Sequence, residues 1–186
     1  VRWGMLIDTA QCQEGCNDCV TACNKENGLS GGTSATDSQW IRKVEIKDIS
    51  SGRKVSLPMM CQHCEHPPCV DVCPTGASFK RADGIVLVDK HTCIGCRYCV
   101  MACPFGARSF VHETVSGQKA DVPRGKGTVE SCTLCVHRVD RGEAAEGTSG
   151  VISAVSGGKG TIGYADESQA GDLSVVSVKV GEEYVA

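Results

Sequence analysis

Hydrophobic and polar residues alternate most regularly between positions 40 and 60 of the chain. Residues 40–49 place apolar and charged side chains at alternate positions, which is typical of a half-buried β-strand. Residues 55–60 can pair with this strand across a turn at 50–52, so the pattern predicts a β-hairpin. Shorter segments with a strand pattern are 4–10, 85–88 and 174–180.

The segments between these strands predict short helices and loops. Short helices are expected after each group of cysteines, and residues 28–38 are rich in Gly, Ser and Thr, as loops are. Residues 114–127 form a polar insertion, and Gly, Ser and Ala dominate from 142 to about 160, as in a linker. No run of eighteen apolar residues predicts a membrane span. The sequence starts at Val1, and either a removed targeting segment or an unrecorded start explains this.

Composition then points to the cysteines. The chain has 186 residues and a net charge of −3, so no basic field indicates nucleic acid or an anionic membrane as a partner. It has 22 glycines but only 2 Trp, 3 Tyr and 3 Phe, so a core of large side chains is difficult to build. Small proteins that lack such a core use disulfides or metals, and this chain has 14 cysteines.

The cysteines form four groups that repeat along the chain. The third group has the sequence C-IG-C-RY-C-VMA-C-P, which is the cluster-binding run of bacterial ferredoxins. In such a run, three closely spaced thiolates reach one cube-shaped iron–sulfur cluster. The fourth Cys, which stands before a proline, points to another such cube. The groups are Cys12, Cys16, Cys19 and Cys23; Cys61, Cys64, Cys69 and Cys73; Cys93, Cys96, Cys99 and Cys103; and Cys132 and Cys135.

The second and third groups predict a pair of complete 4Fe-4S cubes with crossed ligands. The second group has the sequence C-QH-C-EHPP-C-VDV-C-P, and both groups end in similar phrases, C-PTGA and C-PFGA. This similarity indicates a pseudo-twofold pair in which each group lends its last Cys to the other cube. The predicted ligand sets are Cys61, Cys64, Cys69 and Cys103 for one cube, and Cys93, Cys96, Cys99 and Cys73 for the second.

The first and fourth groups predict two incomplete sites. The first group has the sequence C-QEG-C-ND-C-VTA-C, and its crossed partner is the C-TL-C pair of the fourth group. The third site would have Cys12, Cys16 and Cys19, and the fourth would have Cys132, Cys135 and Cys23. Each is one thiolate short, so a 3Fe-4S cluster is possible there, and His137 is the nearest substitute ligand in the sequence.

Zinc and disulfides explain the cysteines less well. Zinc sites use C-x2-C pairs with four ligands per ion, whereas a triplet with a distant fourth Cys before proline is not that pattern. Cysteines two residues apart rarely form a disulfide. His63, His66 and His91 stand beside cysteines, but the triplets near them already have their thiolates, so we expect these rings to face solvent or to support the cluster ligands.

Several phrases between residues 3 and 142 resemble one family of proteins. They are WGMLIDTAQC, CNKENG, CQHCEHPPCVDVCPTGASFKRADGIVLVD, CIGCRYCVMACPFGARSF and CTLCVHRVDRG. They are similar to the four-cluster ferredoxin-type iron–sulfur subunits of membrane respiratory oxidoreductases, such as dimethyl sulfoxide and polysulfide reductases. The second and third phrases look especially like the periplasmic ferredoxin-type subunit of the sulfite-reduction-associated quinone complex.

The resemblance implies a fold, a role and partners. The fold is α+β, with tandem bacterial-ferredoxin-like modules whose short strands and helices surround cubane clusters. The role is electron transfer through up to four clusters between a quinone-interacting integral membrane subunit and either a molybdopterin catalytic subunit or a cytochrome c. The chain would then be a non-catalytic subunit, peripheral on the periplasmic side of the membrane, with the cytoplasm as the alternative.

The C-terminal part departs from that family. The resemblance implies two further cysteines at the positions of Gly147 and Val151, which cannot bind iron. Residues 150–186 look instead like a segment of a phosphate-binding protein. A divergent protein, a fusion and a composite sequence remain open, and the last two are favoured because fourteen ligands are otherwise kept. We therefore expect a polyferredoxin domain at 1–143, with the pair 61–103 inserted between motifs 12–23 and 132–135, and a separate segment at 144–186.

Two other functions remain open on the sequence alone. A free-standing soluble ferredoxin with two intact 4Fe-4S clusters would need no large apolar docking face. A zinc scaffold without redox function would lack the visible absorption of iron–sulfide bonds. Neither a nucleophile–base pair nor a nucleotide-binding motif is present, so the sequence predicts no substrate chemistry of its own.

Overall fold

Two-stranded antiparallel hairpins organise the part of the chain that the structure describes. This is a computed structural model, and it describes residues 12, 14–142, 178–180 and 183–185. The strands pair as β1–β2, β3–β4, β5–β6 and β7–β8. The elements are α1 Asp18–Asn27, β1 Ile41–Lys47, β2 Lys54–Met60, α2 Pro68–Asp71, β3 Ser78–Lys80, β4 Val86–Val88, α3 Tyr98–Ala102, β5 Ser109–Phe110, β6 Val129–Glu130, α4 Val136–Val139, β7 Val178–Val180 and β8 Glu183–Val185.

The predicted hairpin at 40–60 is confirmed. Strands β1 and β2 pair from Ile41 with Met60 to Lys47 with Lys54. Asp48 closes the turn, because its carboxylate accepts hydrogen bonds from the Ser50 backbone N–H at 2.8 Å and the Ser50 hydroxyl at 2.7 Å. The Asx-type turn and the alternating pattern of the strands therefore act together to fix this register.

The other predicted elements are confirmed where the structure describes them. The strand predicted at 85–88 corresponds to β4, and the helices α1, α2, α3 and α4 all begin within or directly after a cysteine group. Residues 28–38 contain no helix or strand. Strand β7 falls within the predicted strand at 174–180, whereas the predictions for 4–10 and 143–160 lie outside the described residues. No described helix is both long and apolar enough to cross a membrane.

In the part of the chain that the structure describes, the hydrophobic interior contains two small groups that include cysteines. Large apolar side chains are few in both, so thiols occupy positions that leucine or phenylalanine would fill in an ordinary core. One group contains Leu29, Trp40, Ile41, Met60, Val122 and Cys132. The other contains Cys69, Val86, Cys99 and Val129. The position of Trp40 in the first group agrees with the packing role that its size favours.

A buried ion pair joins the loop after α1 to strand β6. The Glu130 side chain is completely buried, and the Arg124 side chain is 7% exposed. Arg124 donates to both carboxylate oxygens of Glu130, at 3.0 and 2.7 Å, and also to the Gly28 carbonyl at 2.8 Å. Although burial would raise the pKa of Glu130, hydrogen bonds from Arg124 and Ser38 hold this pKa below its usual range. Through its bond to Gly28, Arg124 therefore connects the ion pair to a segment 96 positions away in the chain.

Replacing Arg124 should destabilise the fold strongly. In Arg124→Met the Glu130 carboxylate stays buried without its partner, and breaking such a pair costs about 3–5 kcal/mol. For a chain of this size we expect a fall of roughly 10 °C in Tm under anaerobic conditions. Arg141→Met is the control, because Arg141 pairs at 2.8 Å with an exposed Asp121. Equal Tm values for the two variants would contradict a structural role for the buried pair.

Candidate iron–sulfur cluster sites

One cavity brings together four cysteines from two different groups. The cavity has about 300 Å³ of empty volume, including space open to solvent. Its walls contain Cys61, Cys64 and Cys69 from the second group and Cys103 from the third group. This is the arrangement that the crossed ligand set requires, and the binding of iron by these thiols stays a prediction.

The ends of regular elements hold these cysteines in place. Cys61 directly follows β2, and Cys103 is the residue that ends α3. Cys69 is the second residue of α2, which begins at Pro68, where the fixed φ of proline suits the first turn of a helix. The backbone of the hairpin and of both helices therefore sets the positions of three of the four thiols.

The second predicted ligand set surrounds α3 and the end of α2. Its members are Cys93, Cys96, Cys99 and Cys73. Burial raises the pKa of Cys99, and the nearby Cys93 raises it further. Cys96 is exposed, whereas Cys93 and Cys73 are half-buried. Cys73 follows α2, which packs against α3. This packing supports Cys73 as a member of the set, and its binding to the same cluster as the other three thiols stays a prediction.

Gly95 allows the loop between Cys93 and Cys96 to pack closely. Its φ is +71°, a left-handed conformation that residues with a Cβ rarely adopt. A Cβ at this position would also collide with the carbonyl oxygen of Gly127. The glycine in C-IG-C is therefore required both by the backbone conformation and by the neighbouring loop.

The last Cys of each group has similar local contacts, although the donors stand five and four residues further along the chain. The Cys73 Sγ accepts a hydrogen bond from the Ser78 backbone N–H at 3.3 Å, and the Cys103 Sγ accepts one from the Ala107 N–H at 3.4 Å. Gly76 and Gly106, at matching positions of the two C-P-x-G-A phrases, both have positive φ. Backbone N–H groups directed at thiolate sulfur stabilise its negative charge, as cluster ligands need.

The first cysteine group also brings its three leading thiols together. Burial raises the pKa of Cys19, and Cys12 and Cys16 raise it further because they lie nearby. All three are half-buried. The sequence offers three thiols for this site, and the structure keeps these three near one another.

The fourth site gathers Cys23 with the C-TL-C pair. Burial raises the pKa of Cys23 to about 12, and the nearby Cys135 contributes to the rise. Cys132 is buried in the first hydrophobic group, and burial together with Cys23 and Cys135 raises its pKa well above the usual range. The positions Gly147 and Val151, where two further cysteines were expected, lie outside the described residues.

His137 is engaged by a carboxylate. Its Nε2 lies 2.9 Å from Glu26 Oε1, and the ring is almost buried, with 8% of the side chain exposed. This contact links α4 to α1 across 111 positions of the chain. His137 therefore joins the two motifs that form the fourth site, and that position leaves only Nδ1 for a substitute ligand.

The donor set of the cavity fits an iron–sulfur cluster. Burial, together with Cys69 and Cys103, raises the pKa of Cys61 to about 11. Such thiols ionise at neutral pH only when a metal replaces their protons. Among the described residues, no three Cys, His, Asp or Glu side chains converge as one metal ion requires. The four thiols that line the cavity match the number of cysteine ligands that a 4Fe-4S cluster requires.

Two polar residues near the thiols, Asn27 and Arg108, were not identified from the sequence. Asn27 is almost completely buried, and its Nδ2 lies 3.5 Å from Cys23 Sγ. Arg108 lines the cavity, and its signal in the sequence is that it follows the repeated phrase at the position that Ser78 holds in the other copy.

The histidines beside the cysteines differ in burial. His63 is buried and accepts a hydrogen bond at Nδ1 from the Val86 N–H at 2.9 Å, whereas His66 and His91 are exposed.

Comparison with known proteins identifies relatives that belong to redox enzymes. The chain is 43% identical over 161 residues to an Hdr-like menaquinol oxidoreductase iron–sulfur subunit of Archaeoglobus fulgidus, covering 75% of this chain and 60% of that protein. It is 42% identical to a tetrathionate reductase subunit of Salmonella typhimurium, covering 76% and 51%. Identity is 39% to a sulfite dehydrogenase subunit of Allochromatium vinosum, covering 76% and 59%.

The chain spans between half and three fifths of the length of these relatives. A family model described as a 4Fe-4S dicluster domain matches residues 53–154, which include both complete cysteine sets and the C-TL-C pair. This match confirms 4Fe-4S clusters as the cofactor of the chain. With more than half of its length matched by that model, the protein belongs to the 4Fe-4S dicluster domain family.

Proposed function

We propose that this chain is the electron-transfer subunit of a membrane-associated respiratory oxidoreductase. It would relay single electrons between a quinone-interacting membrane subunit and a catalytic or cytochrome partner. The observation that carries this proposal is the cavity in which cysteines of two repeated motifs meet. The names of the relatives support the same role. One is a menaquinol oxidoreductase subunit, and the other two are subunits of a tetrathionate reductase and a sulfite dehydrogenase.

The clusters, once bound, supply one-electron transfer. The chain's own residues hold them and set their environment. The four thiols of the first set attach one cluster, and the Ala107 N–H stabilises the charge on Cys103. The Cys69 and Cys99 side chains are buried, which keeps water away from this side of both complete sites. Low solvent exposure and N–H donors are the means by which a protein adjusts cluster potential.

The fold and the location are parts of the same proposal. Tandem ferredoxin-like modules of the α+β class would explain the repeated helices and hairpins that follow the cysteine groups. A peripheral position on the periplasmic side of the membrane would suit a subunit that meets a quinone-interacting partner. The two incomplete sites would extend the relay beyond the complete pair.

An apolar surface beside Cys96 supports the exchange of electrons with a partner. Cys96 is itself exposed, and Ile94, Tyr98 and Met101, which lie within five positions of it in the chain, are 66%, 55% and 73% exposed. Large apolar side chains grouped at one surface mark interaction sites. An exposed cluster ligand in the same short segment would bring the cluster close to the partner. A free-standing soluble ferredoxin has no need of such a surface.

Double substitutions can test the crossed ligand sets. Cys103→Ala should remove one cluster, or about four iron atoms per chain. Cys64→Ala combined with Cys103→Ala should remove no more, because both ligands belong to one cluster. Cys96→Ala combined with Cys103→Ala should remove two clusters, or about eight iron atoms. Iron and acid-labile sulfide per chain are measured after anaerobic purification.

The opposite result would contradict the crossed sets. If each motif holds its own cluster, the pair Cys96→Ala and Cys103→Ala would lose one cluster, and the pair with Cys64→Ala would lose two. A wild-type chain without iron or sulfide would contradict the proposed function as a whole.

Charge introduced beside Cys96 should slow electron exchange with the partner. We expect Ile94→Glu with Met101→Glu to reduce quinol-driven cluster reduction at least tenfold in membranes that contain the partner complex, equivalent to about 1.4 kcal/mol. Stopped-flow absorption measures this rate. Ile49→Glu is the control, because Ile49 is 95% exposed at the β1–β2 turn. A rate equal to that of the Ile49 variant would exclude this surface as the docking site.

A further inference from the structure

Arg108 is a buried cation without a carboxylate partner in the described part of the chain. Its relative exposure is 5%, and none of its three guanidinium nitrogens makes a hydrogen bond of ordinary geometry there. It forms no ion pair with any described carboxylate, whereas the other buried arginine, Arg124, has Glu130. A buried charge requires an opposite charge nearby, so the structure leaves a need for an anion beside Arg108.

The surroundings of Arg108 are cysteines of both complete ligand sets. Arg108 lines the cavity of the first set, beside Cys61 and Cys69. Cys69 also packs in one buried group with Cys99. Because Cys69 and Cys99 belong to different sets, the guanidinium lies where the two predicted sites meet.

The pseudo-twofold pattern is broken at this position. The phrase C-PTGA is followed by Ser78, and the phrase C-PFGA is followed by Arg108. The two repeats therefore have a short neutral hydroxyl at one position and a long cation at the matching position. The cation of the third group lines the cavity that contains Cys61, Cys64 and Cys69 of the second group.

Other cations near the sites have partners of their own. Lys90 donates to the Val129 carbonyl and interacts with Glu130, which leaves less of its charge for the cysteines. The Nδ1 of His63 accepts a hydrogen bond from the Val86 N–H at 2.9 Å, so this nitrogen carries no proton and the ring is neutral. Arg108 is thus the cation among these three that remains available to thiolate-bound clusters, which are anions.

We propose that Arg108 donates hydrogen bonds to the clusters of both complete ligand sets. These hydrogen bonds make both clusters easier to reduce. This inference rests on the proposed function, since it requires clusters at both cysteine sets. The planar guanidinium has five N–H donors in a fixed fork, so one side chain can serve two neighbouring acceptors. In this role Arg108 acts on the potentials of clusters that the cysteines hold.

Arg108→Gln should make both clusters harder to reduce. At the potential where each wild-type site is half reduced, the ratio of reduced to oxidised cluster should fall at least tenfold at both sites, or about 59 mV for one electron. An anaerobic redox titration followed by EPR measures each ratio. Arg53→Gln, which removes the same charge from the exposed turn between β1 and β2, should leave both ratios unchanged.

Arg108→Lys keeps the charge but loses the planar fork of N–H donors. We expect the ratio of reduced to oxidised cluster to fall at least threefold at both sites, and less than in Arg108→Gln. If Arg108→Gln takes up no iron, this lysine variant decides the question by the same titration. Unchanged ratios in an iron-loaded Arg108 variant, or a change at one site only, would overturn the proposal. A wild-type chain without clusters would instead contradict the proposed function.

Discussion

Burial of sulfur together with negative charge is the constraint on which this structure depends. Cys69, Cys99 and Cys132 lie in the interior, where a thiol is acceptable but a free thiolate is not. Cluster binding requires thiolates, so the fold is stable with charged sulfur only when iron and nearby donors balance that charge. Backbone N–H groups at Cys73 and Cys103 provide part of this balance. Arg108, which is buried beside Cys61 and Cys69, is a cation placed to contribute to the remainder.

The hydrophobic core is small because the clusters complete it. Each apolar group contains cysteines as well as aliphatic residues, and the β-hairpins are too short to cover a large core by themselves. Short strands pair along a few residues, and α2, α3 and α4 have only four or five residues each. Isolated helices of that length are unstable in water. Covalent bonds from cysteines at helix ends to a rigid cluster would replace the packing that longer elements provide.

The features that could be predicted from the sequence are those whose pattern lies within a short stretch or a repeat of the chain. The β1–β2 hairpin follows from alternation and a turn at Asp48, and the meeting of Cys103 with the second group follows from spacing within a repeat. Contacts between distant segments left no such signal. The pairs Glu26 with His137 and Arg124 with Gly28 span 111 and 96 positions, and no pattern of spacing connects them. A charged residue is also expected to be exposed, so the burial of Glu130 was not predictable from its type.

The spacing of the ligands along the chain sets an order for maturation. All predicted ligands of the complete pair lie within residues 61–103, whereas the predicted fourth site combines Cys23 from α1 with Cys132 from beyond β6. Contacts between distant segments form late, because a long loop must close first. A chain leaving the ribosome would therefore present both predicted ligand sets of the pair before the fourth site, because Cys132 and Cys135 emerge later. Cellular machinery that inserts iron and sulfide would meet these two sites before the fourth.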